Sequence, residues 1–253
     1  MELLTNKNAV ITGGSDGIGL GIARSFAENG ANLILIGRVT GKLDDAKNEL
    51  AKYPVKVYTL SADLSETDGI KSLSDQILQY FPKLDILVNN AGIGKFVPFP
   101  ETDASLLDLH LNLNVKAPYM LTQQLLPSLI ETKGNVINIS SYFAHRMLPG
   151  RTTTAYSLSK GAIDAFTKSL AFEMGNLGVR VNGIAPGSVS TPQFNRNLQN
   201  LPNEKRTAFN EMVKSIYPLG NIGTVDDIGK AATFLASDLA GWITGTTLAV
   251  DGG

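Results

Sequence analysis

Residues 9–19 read Ala9-Val10-Ile11-Thr12-Gly13-Gly14-Ser15-Asp16-Gly17-Ile18-Gly19, an apolar run followed by a glycine-rich turn. Beyond the turn, Ile18, Ile22 and Phe26 recur every four residues, which places them on one face of a helix. The segment therefore predicts a buried strand, a tight turn and an amphipathic helix.

The glycine-rich turn also predicts a nucleotide site. Glycine lets the backbone approach a ligand without a Cβ in the way, and the free N–H groups at a helix N-terminus attract a diphosphate. Gly13, Gly17 and Gly19 follow a G-x-x-x-G-x-G pattern, which differs from the G-x-G-x-x-G fingerprint. A dinucleotide fits this loop, and a tight turn without any ligand is the alternative interpretation.

The second apolar run, Leu33 to Ile36, ends at Gly37-Arg38, where a dinucleotide fold places the residue that reads the adenosine ribose. An acid at this point favours NAD, whereas Arg38 can pair with a 2′-phosphate. We therefore expect NADP(H) to be preferred, with NAD(H) possible. Asp16 argues against this, because its carboxylate would repel a 2′-phosphate or hold Arg38 in an ion pair. A solvated Arg38 is a further alternative.

The remaining chain alternates short apolar runs with helix-length periodic segments, the pattern of a doubly wound α/β fold with a parallel sheet. Its 253 residues are 43% hydrophobic, and no linker or repeat interrupts them, so we expect a single domain over residues 1–253. We count seven strands with helices on both faces. Besides the two above, they are the runs Val55 to Leu60, Leu84 to Val88, Val136 to Ile139, Val179 to Ile184 and Thr247 to Val250.

Composition argues against several classes of function. A formal net charge of −1 without a basic stripe argues against nucleic acid as a partner. The polar start from Met1 to Lys7 predicts no signal peptide and no apolar run reaches membrane-spanning length, so we expect a cytoplasmic protein without membrane contact. With no cysteine and only two histidines, the sequence predicts no disulfide and no metal site.

Tyr156 and Lys160 lie four residues apart in a segment with helical periodicity, so they share one helix face. A cation about 5 Å from a phenol, at an effective dielectric of about 20, is worth about 3 kcal/mol, or about two pKa units. The pattern thus predicts a tyrosine that exchanges protons near neutral pH. A packed ring beside a solvent-reaching amine is the alternative.

Further motifs, in their order and spacing, resemble the short-chain dehydrogenase/reductase family along almost the whole chain. They are the glycine loop, Asp63-Leu64, Asn89-Asn90-Ala91-Gly92, Asn114, Ser140-Ser141, Tyr156 to Lys160, Pro186 to Thr191 and the ending Ile243 to Gly253. The resemblance implies a Rossmann-type fold and an oxidoreductase of the EC 1.1.1 type. Such an enzyme transfers hydride between NAD(P)(H) and a small-molecule carbonyl compound or secondary alcohol.

The resemblance also implies roles for single residues. Tyr156 would be the general acid/base, Lys160 would lower its pKa and hold the nicotinamide ribose, Ser141 would bind the substrate oxygen, and Asn114 would fix a water. Asp63 would bind the adenine edge, while Val189 and Thr191 would hold the nicotinamide amide. The implied cofactor-binding set is Gly13, Ser15, Asp16, Gly17, Ile18, Gly19, Arg38, Asp63, Leu64, Asn90, Ala91, Gly92, Tyr156, Lys160, Pro186, Gly187, Val189 and Thr191.

Structural alternatives exist for four of these residues. Asp63 could cap a helix starting at Ser65, Asn114 could occupy a helix irregularity, Thr191 could be a loop hydroxyl, and Ser141 could end a strand. Fourteen residues separate Ser141 from Tyr156, two more than is common in the family. If this insertion shifts the strand end, Ser140 or Tyr142 could take the place of Ser141.

Substrate contacts are expected beyond the carboxyl ends of the strands. They would come from Gly94 to Val97, from the loop between Ser141 and Tyr156, and from a lid at about residues 190–217. We expect Tyr142, Phe143, His145 and Arg146 to form one wall, with Arg146 binding an anionic tail and Arg151 and Lys95 as further candidate cations. The lid would contribute the apolar residues Phe194, Leu198, Leu201, Phe209, Met212 and Ile216.

The likeness extends to 3-oxoacyl-carrier-protein reductases and to sugar, steroid and small-alcohol dehydrogenases. Carrier-protein reductases tend to have arginine where this chain has Phe172, which weakens that interpretation. The alternative function is a dinucleotide-binding sensor or regulator without catalysis. The helices at about 103–130 and 156–174 should each carry an apolar face, and since family members commonly pair these helices, we expect a homotetramer.

Overall fold

The computed structural model describes residues 2–148, 150–200 and 202–253, without the side chains of Gln193, Asn197, Lys205 and Asn210. Pro149 of the predicted Ser141–Tyr156 loop and Leu201 of the predicted lid lie outside the described residues. The strands are β1 (Asn8–Thr12), β2 (Asn32–Gly37), β3 (Val57–Ser61), β4 (Ile86–Asn89), β5 (Asn135–Ile139), β6 (Arg180–Pro186), β7 (Val189–Ser190), β8 (Gly223–Thr224) and β9 (Thr247–Val250).

The helices alternate with these strands, as the sequence predicts. They are α1 (Gly17–Glu28), α2 (Thr40–Leu50), α3 (Ile70–Tyr80), α4 (Ala104–Leu111), α5 (Ala117–Thr132), α6 (Thr154–Met174), α7 (Pro192–Gln199), α8 (Asn203–Ile216) and α9 (Val225–Ala236). Within the described residues, none of them combines the length and the apolar composition needed to span a membrane.

The described part of the chain forms a seven-stranded parallel sheet in the order β3-β2-β1-β4-β5-β6-β9. This confirms the predicted doubly wound sheet. The order reverses between β1 and β4, and in such folds ligands bind where the strand order reverses, beyond the carboxyl ends. A small second sheet pairs β7 with β8, and the sequence analysis did not predict it because two residues are too short to show a pattern.

Two apolar layers lie on opposite faces of the sheet, because successive strand residues point to opposite sides. Ile11 belongs to the cluster that contains Ile22 of α1 and Ile228 of α9. Its neighbour Val10 belongs to the cluster that contains Ile77 of α3 and Leu121 of α5. Each fully buried side chain of this size stabilises the fold by about 1.5–3 kcal/mol. The helices are thereby held on both faces of the sheet.

The predicted helix at about 103–130 is interrupted. A π-helical turn at Asn112–Lys116 connects α4 to α5 and contains Asn114. Such turns are rare and are found frequently at functional sites. The turn lies beside α6, the helix that carries Tyr156 and Lys160.

Candidate active site

The glycine loop after β1 is packed too closely for side chains at two positions. A Cβ on Gly13, which has a φ of 64°, would lie 2.8 Å from Asn90 Nδ2, and one on Gly19 would lie 2.1 Å from the Gly13 carbonyl oxygen. Asn90 Nδ2 also donates to the carbonyl oxygens of Thr12 at 2.8 Å and Gly13 at 3.2 Å. The ends of β1 and β4 are thereby joined, and the N-terminus of α1 is left close to the sheet edge.

Asp16 caps α1 and is paired with a lysine that the sequence analysis did not consider. Its Oδ1 accepts from Gly17 N at 2.7 Å, and its Oδ2 lies 2.6 Å from Lys42 Nζ. Burial opposes ionisation of Asp16, but the hydrogen bonds from Lys42 and Gly17 outweigh it and lower the pKa of this carboxyl. The only sequence signal for Lys42 was its position four residues after Arg38 in the first turn of α2.

Of the two effects considered for Asp16, the ion pair with Arg38 is not formed, because Asp16 is paired with Lys42. Arg38 Nη1 instead lies 3.6 Å from Asp63 Oδ2. Asp63 Oδ1 accepts from Ser65 N at 2.9 Å and from Ser65 Oγ at 2.7 Å, so this carboxylate closes a local turn. The helix proposed to start at Ser65 begins later, after the single 3-10 turn at Thr67–Gly69.

Three neighbouring cavities follow the carboxyl ends of the strands. The β2-end cavity, of about 250 Å³, is lined by Gly13, Ser15, Asp16, Ile36, Gly37, Arg38, Val39, Lys42, Ala62, Leu64, Ala91, Gly92 and Leu113. The Tyr156 cavity, of about 180 Å³, is lined by Ile18, Asn90, Gly92, Ile93, Gly94, Ile139, Ser140, Ser141, Tyr156, Lys160, Pro186 and Gly187. Gly92 lines both, so the two cavities adjoin.

The third cavity adjoins the second at Ile18, Ser141, Tyr156 and Gly187, which line both. This lid cavity has a volume of about 490 Å³. Its other lining residues are Phe96, Tyr142, Phe143, Leu148, Arg151, Ser188, Val189, Thr191, Phe194, Leu198, Phe209, Met212, Ile216 and Tyr217. Tyr156 and Ser141 therefore stand between a space next to the glycine loop and a space beneath the lid.

Most of the predicted cofactor residues line one of these cavities. Val189 and Thr191 line the lid cavity, where Thr191 also caps α7 by accepting from Phe194 N at 3.1 Å. Gly17, Gly19, Asp63 and the predicted catalytic Asn114, all within the described part of the chain, lie outside the three linings. Gly17 and Gly19 still belong to the loop that bounds the β2-end cavity.

Lys160 is buried, with 5% of its surface exposed, and its Nζ donates to the Ile139 carbonyl oxygen at 2.7 Å. Burial lowers the pKa of Lys160 to about 8, although the Asp164 carboxylate opposes this shift. Burial also raises the pKa of Tyr156, opposed by a hydrogen bond with Ser141. The expectation that Lys160 sets a lowered pKa for this phenol is therefore wrong in direction, because desolvation has the larger effect and raises the pKa.

The two extra residues between Ser141 and Tyr156 do not displace Ser141. Its hydroxyl accepts from Phe143 N at 3.2 Å, starting the 3-10 turn at Tyr142–Ala144, and Ser141 lines the Tyr156 cavity together with Tyr156. Ser140 Oγ is directed instead to the Lys160 carbonyl oxygen, at 3.4 Å. The structure thus brings Ser141, rather than Ser140, next to the phenol.

Asn114 is 1% exposed and is held by three hydrogen bonds. Its Oδ1 accepts from Ile93 N at 2.8 Å, and its Nδ2 donates to the Ile93 carbonyl oxygen and to Ser159 Oγ, each at 2.9 Å. The side chain therefore connects the π-helical turn to the segment after β4 and to α6. Asn114 does lie in a helix irregularity, as the structural alternative stated. Its expected role in fixing a water stays a prediction.

Sequence reasoning also missed His110, which is fully buried beside Tyr156, with ring centroids 6.4 Å apart. Its Nε2 accepts from Lys95 N at 3.2 Å, and its Nδ1 lies 2.8 Å from the Leu106 carbonyl oxygen. The ring is therefore in the tautomer that carries its proton on Nδ1. A histidine on α4 gave no signal in the sequence, because its closeness to Tyr156 depends on the packing of α4 against α6.

Two of the four residues predicted to form one wall of the substrate cavity line it. Tyr142 and Phe143 line the lid cavity, but His145 and Arg146 do not. His145 Nε2 lies 2.8 Å from Asp164 Oδ2, and Arg146 donates to the carbonyl oxygens of Gly253 at 3.2 Å and Ile216 at 3.4 Å. Arg151 takes the place expected for Arg146. The lid residues Phe194, Leu198, Phe209, Met212 and Ile216 all line the cavity, as predicted.

Comparison with known proteins places this geometry in a family. The family model described as enoyl-(acyl carrier protein) reductase matches residues 13–253. The oxidoreductase UcpA of Salmonella typhimurium is 38% identical over 257 residues, covering 100% of this chain and 96% of the relative. The chain belongs to the short-chain dehydrogenase/reductase family. It is therefore an enzyme of the oxidoreductase type.

Other relatives within the short-chain dehydrogenase/reductase family have more specific names. A 3-oxoacyl-(acyl-carrier-protein) reductase of Chlamydia trachomatis is 36% identical over 254 residues, covering 99% of this chain and 98% of the relative. The structure of L-sorbose reductase from Gluconobacter frateurii, complexed with NADPH and L-sorbose, is similar with a TM-score of 0.94 and 29% identity, covering 100% of this chain and 98% of that one. These likenesses support the binding of a nicotinamide dinucleotide.

Proposed function

We propose that this enzyme transfers hydride between a nicotinamide dinucleotide and a carbonyl compound or secondary alcohol, with Tyr156 as general acid/base. The observation that carries the proposal is the position of Tyr156. Tyr156 and Ser141 both line the Tyr156 cavity and the lid cavity, so they stand where the two meet. A substrate carbonyl in the lid cavity would reach both hydroxyls, and a cofactor in the two other cavities would approach from the opposite side.

The residues around the glycine loop fit a dinucleotide. The backbone at Gly13 and Gly19 is free of Cβ atoms, and the α1 N-terminus offers N–H groups and a positive dipole end to a diphosphate. Lys160, Asn90 and Gly92 would hold the nicotinamide end and Arg38 and Lys42 the adenosine end. A bound nicotinamide supplies or accepts the hydride.

Proton transfer would be the task of the protein. A raised pKa keeps Tyr156 protonated near neutral pH, which is the state that a proton donor in carbonyl reduction needs. Ser141 would donate to the carbonyl oxygen and stabilise the negative charge that develops there. Lys160 would stabilise the phenolate left after proton transfer, because its ammonium lies 5.8 Å from the Tyr156 ring centroid.

For the cofactor, we propose a preference for NADPH over NADH. Two cations, Arg38 and Lys42, line the β2-end cavity where the adenosine ribose would lie. Guanidinium groups bind phosphate oxygens through two parallel hydrogen bonds, and lysine adds a point charge. In the structure Arg38 is paired with Asp63 and Lys42 with Asp16, so a 2′-phosphate would compete with these carboxylates for the two cations.

An inactive sensor has no observation in its favour, because Ser141, Tyr156 and Lys160 all line the Tyr156 cavity. We further propose that residues 1–253 act as one domain of the EC 1.1.1 type in the cytoplasm, and that the chain forms a homotetramer. Phe172 on α6 is 90% exposed and Trp242 is fully exposed, which is unusual for large apolar side chains unless a partner covers them.

The test of the proposed reaction is a panel of carbonyl compounds with NADPH, followed by absorbance of the reduced nicotinamide. The panel contains β-ketoesters, α-diketones, ketoses, steroid ketones and acetoacetyl thioesters. Oxidation of NADPH that needs both a carbonyl compound and Tyr156 supports the proposal. Binding of NADPH without turnover of any compound would favour the sensor instead.

A further inference from the structure

Two polar residues at one side of the lid cavity, Tyr217 and Ser188, hydrogen-bond each other. The Tyr217 hydroxyl donates to Ser188 Oγ at 2.8 Å and accepts from Ser188 N at 3.0 Å. Burial and the neighbouring Tyr217 raise the pKa of Tyr142, which lines the same cavity. A phenol has one proton to donate and two lone pairs. Ser188 thereby takes the one proton and one of the two lone pairs of the Tyr217 hydroxyl.

The walls around this group are apolar. On the side of the loop after β5, Phe143 packs against Tyr142 with ring centroids 4.2 Å apart. Phe96 lies edge-on to Tyr156 at 5.5 Å. On the lid side, Phe194 and Phe209 lie 5.7 Å apart. The surface around a substrate carbonyl at Tyr156 is therefore mostly aromatic, and the lid adds the apolar Leu198, Met212 and Ile216.

This lining should bind two kinds of carbonyl compound with different affinity. A ketose has a hydroxyl on almost every carbon, and each one that leaves water without a new partner costs free energy. Since Tyr217 and Ser188 are engaged with each other, they offer few bonds in return. An aromatic or alkyl body gains free energy from leaving water against the same walls. The volume of about 490 Å³ lies within the range of small-molecule sites.

We propose that the lid cavity selects carbonyl compounds with an apolar body, aromatic or medium-chain alkyl, and discriminates against polyhydroxylated sugars. This inference rests on the proposed function, because it assumes that the carbonyl group lies at Tyr156. It separates this chain from the structurally similar L-sorbose reductase, whose name refers to a sugar. The specificity-determining residues are Tyr217 and Ser188, which withhold hydrogen bonds, and Phe209, which supplies apolar surface.

The experiment compares phenylacetone with L-sorbose as substrates of the full chain with NADPH. We expect kcat/KM to be at least about a hundredfold higher for phenylacetone, because several unpaired hydroxyls each disfavour the sugar. Phe209→Ser should lower kcat/KM for phenylacetone by about tenfold, and should lower the ratio of phenylacetone to L-sorbose kcat/KM by at least the same factor. The matched control is Phe234→Ser, because Phe234 lies on α9, outside the lid cavity lining and 37% exposed.

The outcomes separate this inference from the proposed function. Reduction of L-sorbose as efficient as that of phenylacetone overturns the inference and leaves the proposed function standing. If neither compound is reduced, the proposed function is decided by the carbonyl panel described above, and calorimetric titration with NADPH present decides the inference. Binding of phenylacetone, weakened by Phe209→Ser and absent for L-sorbose, supports it, whereas equal binding of both or no binding of either overturns it.

Discussion

The Lys160 ammonium lies 5.8 Å from the centroid of the Tyr156 ring and donates its hydrogen bond to the Ile139 carbonyl oxygen, 2.7 Å away. The lysine is therefore anchored to the end of β5, one helical turn from the tyrosine. Because both groups are withdrawn from water, the pKa of Lys160 falls to about 8 and the pKa of Tyr156 rises. Both shifts favour the uncharged form of each side chain.

Removal of the Tyr156 hydroxyl should stop the reaction and leave the binding of the cofactor unchanged. We expect Tyr156→Phe to lower kcat by a hundredfold or more, about the size of a lost proton-transfer step, with the Kd for NADPH nearly unchanged. Lys160→Met should lower kcat and raise the Kd for NADPH. Tyr80→Phe is the control, since this exposed tyrosine on α3 lies outside the three cavity linings. More than about 10% of wild-type kcat in the Tyr156→Phe variant would remove Tyr156 from its role.

Cofactor preference should depend on the two cations of the β2-end cavity. We expect a higher kcat/KM with NADPH than with NADH, and a decrease in that ratio of about tenfold in Arg38→Ala, because a charge-assisted hydrogen bond to the 2′-phosphate is lost. Asp16→Ser should raise the ratio, since Lys42 loses its partner. Lys47→Ala, on the exposed side of α2, is the control. An unchanged ratio in both variants would contradict the argument.

The cation that binds an anionic substrate tail should be Arg151, because it lines the lid cavity and Arg146 does not. Arg151→Ala should raise KM about tenfold or more for ketones with a carboxylate, for a lost bond of about 1.5–3 kcal/mol, and leave neutral ketones nearly unaffected. Arg146→Ala should change both classes alike, since it contacts the main chain at Ile216. Equal effects of Arg151→Ala on both classes would leave it an ordinary surface cation.

Stability should rise with pH because of Lys160. Between its native pKa of about 8 and its ordinary value of 10.5, the unfolded chain binds a proton that the folded chain lacks. The free energy of unfolding therefore increases with pH in this window. From about pH 7.5 to about pH 9.5 we expect the wild type to gain about 1–2 kcal/mol relative to Lys160→Met, measured by urea unfolding.

Other groups titrate alike in both proteins and cancel in this difference. Tyr156 changes the pH dependence of stability only above its ordinary pKa of 10.0, because burial raises its pKa in the folded protein. A wild type that loses stability relative to the Lys160→Met variant over the same pH window would show that Lys160 is not desolvated as the structure indicates.

Light scattering at micromolar concentration should give the mass of four chains. The exposed apolar side chains on α6 and near the carboxyl end are the expected contacts, so Phe172→Glu should reduce the mass by placing a charge on a covered surface. Tyr80→Glu on α3 is the control, because this helix is not part of the expected interface. A wild type with the mass of one chain would contradict the proposed homotetramer.

Local patterns were sufficient for the fold and for the main members of the site. Apolar runs of strand length, helical periodicity and the glycine turn each depend on neighbouring residues, so the seven-stranded sheet and the Tyr156–Lys160 face could be predicted. An irregularity within a helix depends less on neighbouring residues than these patterns do. The π turn at Asn112–Lys116 depends on how Asn114 bonds Ile93 and Ser159, residues far from it in the sequence.

The sequence by itself thus determined the order of elements and the family, and it predicted Ser141, Tyr156 and Lys160 as the candidate site, three residues that line one cavity. Only the tertiary structure decided the partners of the long charged side chains. Asp16 pairs with Lys42, which is 26 residues away, and Arg146 with Gly253, which is 107 residues away. A flexible side chain can reach several partners, and packing of distant elements selects one of them. The tertiary structure likewise decided the direction of the pKa shifts, because burial is a property of the packed fold.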